Sequence, residues 1–343
     1  MAKQVSIKQF WADLRTALKE RYWSAVWPIA GGMLLLLAIS VLISLGIARA
    51  FMTFMMMFQM MMYGMSSLSM ALMVMVGMWI LIAALVVVEF FLQFLGVSSA
   101  YAWLDCLRHP EMKLNASAVW TYFKHLKKNQ ILRLTLYMSF FVFLWQLPLM
   151  IIGTLPVIAK ISWLGIVLNI INDIIVVWKG LEYSQAIFVY RDRQEDFLGQ
   201  SMRHAITASR RLMGGNKASY LIVSILFIAL PMLVLGAIFG GIAFYGDYTG
   251  TYPLMWAGVI LLVIAELMFI PAALLVAAQF YQWIAKPELV TDSFTDTFKP
   301  VTELTGAKYA DDWRGIKPQT TKQQADPQVK TSSEKKTEAK KDE

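Results

Sequence analysis

Residues 172–183, N-D-I-I-V-V-W-K-G-L-E-Y, place an aspartate, a lysine and a glutamate inside a run otherwise made of Ile, Val, Leu and Trp. At 100° per residue, Asn172, Lys179 and Tyr183 share one helical stripe, and Glu182 lies beside Lys179 one turn on, so those two charges can neutralise each other. Asp173 is about 9 Å along the axis from Lys179 and turned away from it, and cannot share that partner. Counted from the outer end of its apolar run, Asp173 falls about 15 Å deep, near the middle of a bilayer. Glu266 falls near mid-depth of a second run by the same count. Two mid-membrane acids without a base are the chemistry of a proton or cation site. The same residues also fit a plainer role, with Asp173 held neutral by Asn169 and Asn172 and Glu266 acting as a polar tie between helices.

A second chemistry is suggested by residues 52–78, which hold 12 methionines. Thioethers are soft ligands suited to Cu(I). No Cys or His stands among them, and Met also fills irregular apolar contacts, so no metal or other cofactor is expected. The motifs of soluble enzymes are missing: there is no G-x-x-x-x-G-K-[ST], no H-E-x-x-H and no G-x-S-x-G, and His109, His125 and His204 lack ligand spacing. The expectation is a protein that is not an enzyme.

The elements that would position these residues follow from composition. The 343-residue chain is 58% hydrophobic and 16% charged, with a mean hydropathy of +0.55; soluble domains are nearer ~25% charged. Six runs reach the ~20 apolar residues that a bilayer requires: 24–48, 68–88, 131–154, 163–189, 219–244 and 254–284. The predicted fold is all-α and polytopic, with six transmembrane helices. Lys3, Lys8, Arg15, Lys19 and Arg21 precede the first run, and further Lys and Arg crowd the second and fourth connections, whereas the opposite connections hold only Arg49 and Lys160. By the positive-inside rule both termini are cytoplasmic. The net charge of +8 reports this topology; nucleic-acid binding is not expected, because the basic residues are spread over three membrane-edge segments.

Each basic segment is also amphipathic. Ile7, Phe10, Trp11, Leu14 and Leu18 recur at helical spacing, as do Trp120, Phe123 and Leu126, and Met202, Ile206 and Leu212. The expectation is interfacial helices against anionic lipid headgroups. Basic helix followed by two spans occurs three times, a pattern that the positive-inside rule produces without any repeat. Three regions result: an amphipathic helix over 1–23, a six-helix domain over 24–285, and a polar, largely disordered cytoplasmic tail over 286–343, in which Phe294, Phe298, Tyr309 and Trp313 could dock a membrane or cytoplasmic protein partner. Pro148, Pro156, Pro231 and Pro271 predict kinks, Gly236 and Gly240 a close helix contact, and the lone Cys106 a buried thiol.

Three segments, "FFVFLWQLPLMIIGTLPVIAK", "EYSQAIFVYRDRQED" and "AITASRRLMGGNKASYL", carry a resemblance. Over residues 120–230 the chain resembles an uncharacterised bacterial integral-membrane family, domain of unknown function 975. The resemblance implies a six-helix protein of the bacterial plasma membrane and no established activity. With the charge pattern, it leads to the expectation of a non-catalytic scaffold or regulator of the cell envelope, the alternative being a small permease or exporter that uses Asp173 and Glu266.

Overall fold

Inside hydrocarbon every backbone N–H and C=O must be paired within its own segment, which leaves helix as the solution for chains as apolar as this one. The computed structural model describes residues 6–63, 68–154, 162–197 and 199–298, and all regular structure among the described residues is helical. The order is α1 (Ile7–Met62), α2 (Leu68–Arg108), α3 (Ala116–His125), α4 (Lys128–Gly153), α5 (Ser162–Tyr183), α6 (Ala186–Asp192), α7 (Arg203–Leu212), α8 (Lys217–Tyr248), α9 (Tyr252–Ile284) and α10 (Pro287–Ser293). Six stretches, those of α1, α2, α4, α5 with α6, α8 and α9, are long and apolar enough to cross a membrane. The protein is all-α and polytopic. These helices belong to one unit; the other, Leu198–Gln200 with Lys299–Glu343, lies almost wholly outside the described residues.

Several boundaries differ from the expected ones for local reasons. The predicted amphipathic segment over 1–23 is no separate element from Ile7 onward: α1 runs unbroken for 56 residues, because nothing between Lys19 and Trp27 is Gly or Pro. Residues 1–5 lie outside the described residues. Helix α2 continues past residue 88 to Arg108 and stops just before Pro110, which cannot continue a helix and disfavours helix before it. Helix α3 starts on Asn115, whose side-chain oxygen accepts the Ala118 N–H at 2.8 Å. Pro28, Pro148 and Pro271 sit inside continuous helices, whereas Pro231 follows a π-helical turn, Ile225–Ala229, and a second such turn spans Gly236–Gly240. Such turns absorb the carbonyl that a proline leaves unpaired. Pro156 lies outside the described residues.

The spans pair as antiparallel hairpins, α1 with α2, α4 with α5, and α8 with α9. The amphipathic faces turn inward in large part: Phe10, Leu14, Phe123, Leu126, Met202, Ile206 and Leu212 are buried in protein, while Ile7, Trp11 and Trp120 of the same faces stay exposed, as do Lys8, Arg15 and Lys19. The packed core is gathered at the end carrying the basic segments. Among the described residues of 34–70, 72–93 and 135–181 none is buried, and of 224–266 only Gly246 and Gly258.

Two predicted contacts change. Gly236 and Gly240 have no neighbouring atom where a side chain would go. The close helix contact is made instead by Gly246 and Gly258, where an added Cβ would lie 2.3 Å from Met255 N and 2.5 Å from Ala243 N. The first part of the expected tail is folded: Val290 and Phe294 of α10 and its end are buried, and Phe294 stacks on Phe298 at 4.9 Å with Phe197 edge-on to both. Those aromatics pack against their own chain. Tyr309 and Trp313 lie outside the described residues.

Candidate functional site

The charged stretch that breaks the apolar run of α5 resolves into two unlike places. At the C-terminal end of α5 Glu182 is buried, and its carboxylate accepts from Lys179 at 2.9 Å, Lys217 at 2.6 Å and the Trp178 indole N–H at 3.0 Å. Each ammonium also lies over an indole ring, Lys179 over Trp145 at 4.2 Å and Lys217 over Trp178 at 4.4 Å. Ser209 on α7 donates to the Glu182 carbonyl at 2.7 Å. The expected Lys179–Glu182 pair therefore forms, but as part of a triad. Lys217, at the start of α8, is the member that sequence spacing does not disclose, since 35 residues separate it from Glu182. With every carboxylate oxygen engaged, this cluster is suited to fixing α4, α5, α7 and α8 against one another, not to taking up protons.

Earlier in α5, Asp173 and Asn169 are exposed, and Asp173 has no hydrogen bond or ion pair among the described residues. Neither Asn169 nor Asn172 bonds to it, and the buried Asn172 Oδ1 is itself without a partner. Glu266 is half-buried and likewise unpaired among the described residues. Gln279 donates to the Phe10 carbonyl at 3.1 Å and Tyr22 to the Met268 carbonyl at 2.9 Å, ties that pack α9 antiparallel on α1, while Gln282 donates to the Leu107 carbonyl at 3.4 Å and ties it to α2. The structure thus brings Lys179 and Glu182 together and leaves Asp173 and Glu266 apart on different hairpins.

A second polar cluster, at the C-terminal ends of α2, α6 and α9, has no counterpart in local sequence motifs. Arg108 binds Asp192 through both guanidinium nitrogens at 2.8 Å, and Tyr281 donates to the same carboxylate at 2.7 Å. Asp105 accepts from Arg191 and from the Tyr122 hydroxyl, while Arg191 also donates to the Tyr101 carbonyl at 3.0 Å. Burial, and then the bond to Asp105, push the Tyr122 pKa well above that of free tyrosine. Arg193 reaches Thr291 at 2.5 Å, and Arg211 reaches the Thr295 carbonyl at 2.6 Å, tying α10 and its exit to the rest. An open cleft of about 450 Å³ borders this cluster, lined by Lys127 and residues 191–196. Its bases and acids alternate, and Arg191, Asp192, Arg193 and Asp196 are already in ion pairs.

The C-terminal ends of the three returning helices share a register. Glu89 stands 22 residues before Glu111, Asp173 22 before Glu195 and Glu266 22 before Glu288, with a basic or imidazole residue, His109, Arg193 or Lys286, two before each second acid. In that register Arg108 and Asp192 are equivalent and ion-paired, and Phe188 and Tyr281 are equivalent and stacked at 5.2 Å. The positive-inside rule fixes neither spacing nor acids, so the three hairpins are related more closely than loop charge requires. Each of these first acids lies on the returning helix of its hairpin, without an ion-pair partner among the described residues, although Glu89 accepts from Ser40 at 2.9 Å.

The methionine-rich run divides between the end of α1 and the start of α2, with residues 64–67 outside the described residues; Met52, Met56, Met62 and Met73 are exposed. Among the described residues no group of three or more His, Cys, Asp or Glu is placed to hold a metal ion. Cys106 is buried, its sulfur 3.7 Å from the Met112 carbonyl.

Compared with family models, with curated proteins and with solved structures, the chain matches none.

Proposed function

We propose that this protein is a non-catalytic scaffold or regulator of the bacterial cell envelope, set in the plasma membrane with both termini and the basic segments in the cytoplasm. One observation carries the reading: the buried core and the ion-pair clusters lie at the end that bears the basic segments, so the fold fixes a rigid inner platform and leaves the outer halves of the hairpins loosely joined. A platform of this kind suits docking to anionic headgroups and to a membrane or cytoplasmic partner. The resemblance to domain of unknown function 975 rests on the residues quoted above and agrees with it. The test is quantitative affinity capture from mild-detergent membranes of the full chain, of a truncation after Phe298 that spares the folded α10, and of charge reversals at exposed Lys124 and Arg210. A near-stoichiometric partner lost with the tail or the reversals supports the reading. Recovery of the protein alone in every sample refutes it.

The second reading, a small permease, is favoured by one observation: each hairpin carries an acid within its returning helix, Glu89, Asp173 or Glu266, with no basic partner among the described residues. Proteoliposome uptake of protons or organic cations that vanishes in Glu89→Gln, Asp173→Asn and Glu266→Gln would establish it.

A further inference from the structure

Helix α5 packs along its length on α4 and, at its inner end, on α7 and the first turns of α8. On the side away from these, Trp163, Ile166, Ile170, Asp173, Val177 and Gly180 follow one another at alternating spacings of three and four. That is the seam of a left-handed helix pair, in which such positions face a partner helix. All six are exposed, the four apolar ones between 49% and 64%. Lipid could cover the apolar members without further comment. It cannot satisfy the Asp173 carboxyl, which has no partner among the described residues and stands near mid-depth of its helix.

Among the described residues no basic partner is at hand, because Lys179, the cation within this helix, is held by Glu182. A second copy in the same membrane has the same orientation, so a symmetric pairing sets each seam residue against its own counterpart at the same depth. Two carboxyls that meet in this way are self-complementary when they hold one proton between them. The seam also tapers in the way a crossing requires: Gly180 at the inner end permits close approach, and Trp163 at the outer end holds the helices apart.

We propose that two copies of this chain pair through the exposed seam of α5, Asp173 meeting Asp173 at its centre. The proposal rests on the membrane placement of α5 and is independent of the scaffold reading. It also gives Asp173 a structural task, which removes it from any transport path.

The test uses the full chain in native membranes, with its one buried thiol, Cys106, as the silent background. Single cysteines are placed on the seam, Ile166→Cys, Ile170→Cys and Val177→Cys, and on the flank toward α4, Leu168→Cys and Val176→Cys, followed by mild oxidation. The expected result is a disulfide-linked dimer at seam positions at least fivefold above the flank. In the Val177→Cys chain, Asp173→Leu is expected to reduce cross-linking several-fold and Asp173→Asn to preserve most of it. Equal cross-linking at seam and flank, single chains in lipid nanodiscs, or a seam thiol trapped by a different protein would each overturn the proposal.

Discussion

Removing Glu182 should cost far more than removing either of the lysines it binds, and the asymmetry follows from charge counting. The cluster holds two ammoniums and one carboxylate, with side chains only 13%, 22% and 5% exposed for Lys179, Lys217 and Glu182. Glu182→Ala leaves two desolvated cations facing each other, and breaking a buried pair in this manner costs about 3–5 kcal/mol. Lys217→Met removes one charge-assisted hydrogen bond and one cation–ring contact, but it leaves a neutral Lys179–Glu182 pair, for a loss of about 1–3 kcal/mol. In the double variant Glu182→Gln with Lys217→Met a single cation remains, still over Trp145, so part of the loss returns. With about 2 °C per kcal/mol for a large chain, the thermal midpoint should fall by roughly 6–10 °C for Glu182→Ala and roughly 2–6 °C for Lys217→Met. The assay is thermal unfolding in one fixed detergent, read by loss of the monodisperse chromatographic peak. Equal losses for Glu182→Ala and Lys217→Met, or a double variant less stable than Glu182→Gln alone, would refute the account of Glu182 as the sole counter-charge of two lysines.

Three further outcomes are expected. Gly258→Leu should lower stability by about 1–3 kcal/mol or more through overpacking, because even a Cβ there meets Ala243 N at 2.5 Å, whereas Gly236→Ala should be neutral or slightly stabilising; the same thermal assay compares them. Truncation after Lys286 should destabilise the protein by removing buried Val290 and Phe294, at about 3–5 kcal/mol for a large aromatic alone, while truncation after Phe298 should leave the midpoint unchanged. Arg108→Asp and Asp192→Arg should each weaken the fold, and the double exchange should recover much of the loss, as measured by a double-mutant cycle.

The six-helix fold was legible because hydrocarbon imposes a length and an apolarity that no other class of sequence shows, and runs such as 24–48 and 254–284 carry that signal within themselves. Interhelical contacts were less legible in proportion to their sequence separation. Lys179 and Glu182 are three residues apart, so helical periodicity alone brings them together. Lys217 joins them across 35 residues, Arg108 meets Asp192 across 84, and Gln279 meets the Phe10 carbonyl across 269; nothing local encodes these. Glycine spacing misled for a related reason. Gly236 and Gly240 have the right interval on one helix, yet the contact formed where Gly246 meets the backbone of Met255 and Gly258 that of Ala243, across α8 and α9. The amphipathic faces were read correctly as periodic, but periodicity does not say whether lipid or protein covers a face, and here Phe10, Leu14 and Ile206 are covered by protein.

Helix α1 is longer than one membrane crossing needs. From Ser24, where its apolar run begins, to Met62 it rises roughly 57 Å. Along the way it is paired with α2, as Ser40 donating to Glu89 at 2.9 Å and the Gly46–Leu81 contact attest. A rise of this size is nearly twice the ~30 Å of a hydrocarbon core, so tilt alone would have to lean the hairpin by about 60° to keep its apex inside. The methionine-rich end should therefore emerge on the side opposite the basic segments. Cysteines at Met62 and, as the embedded control, at Leu42 distinguish the alternatives, because both positions are exposed in the fold and the buried Cys106 gives no background. A membrane-impermeant maleimide applied from outside intact cells should label Met62→Cys and spare Leu42→Cys. Labelling of neither would put the apex inside the bilayer and would require the α1–α2 hairpin to lie steeply tilted.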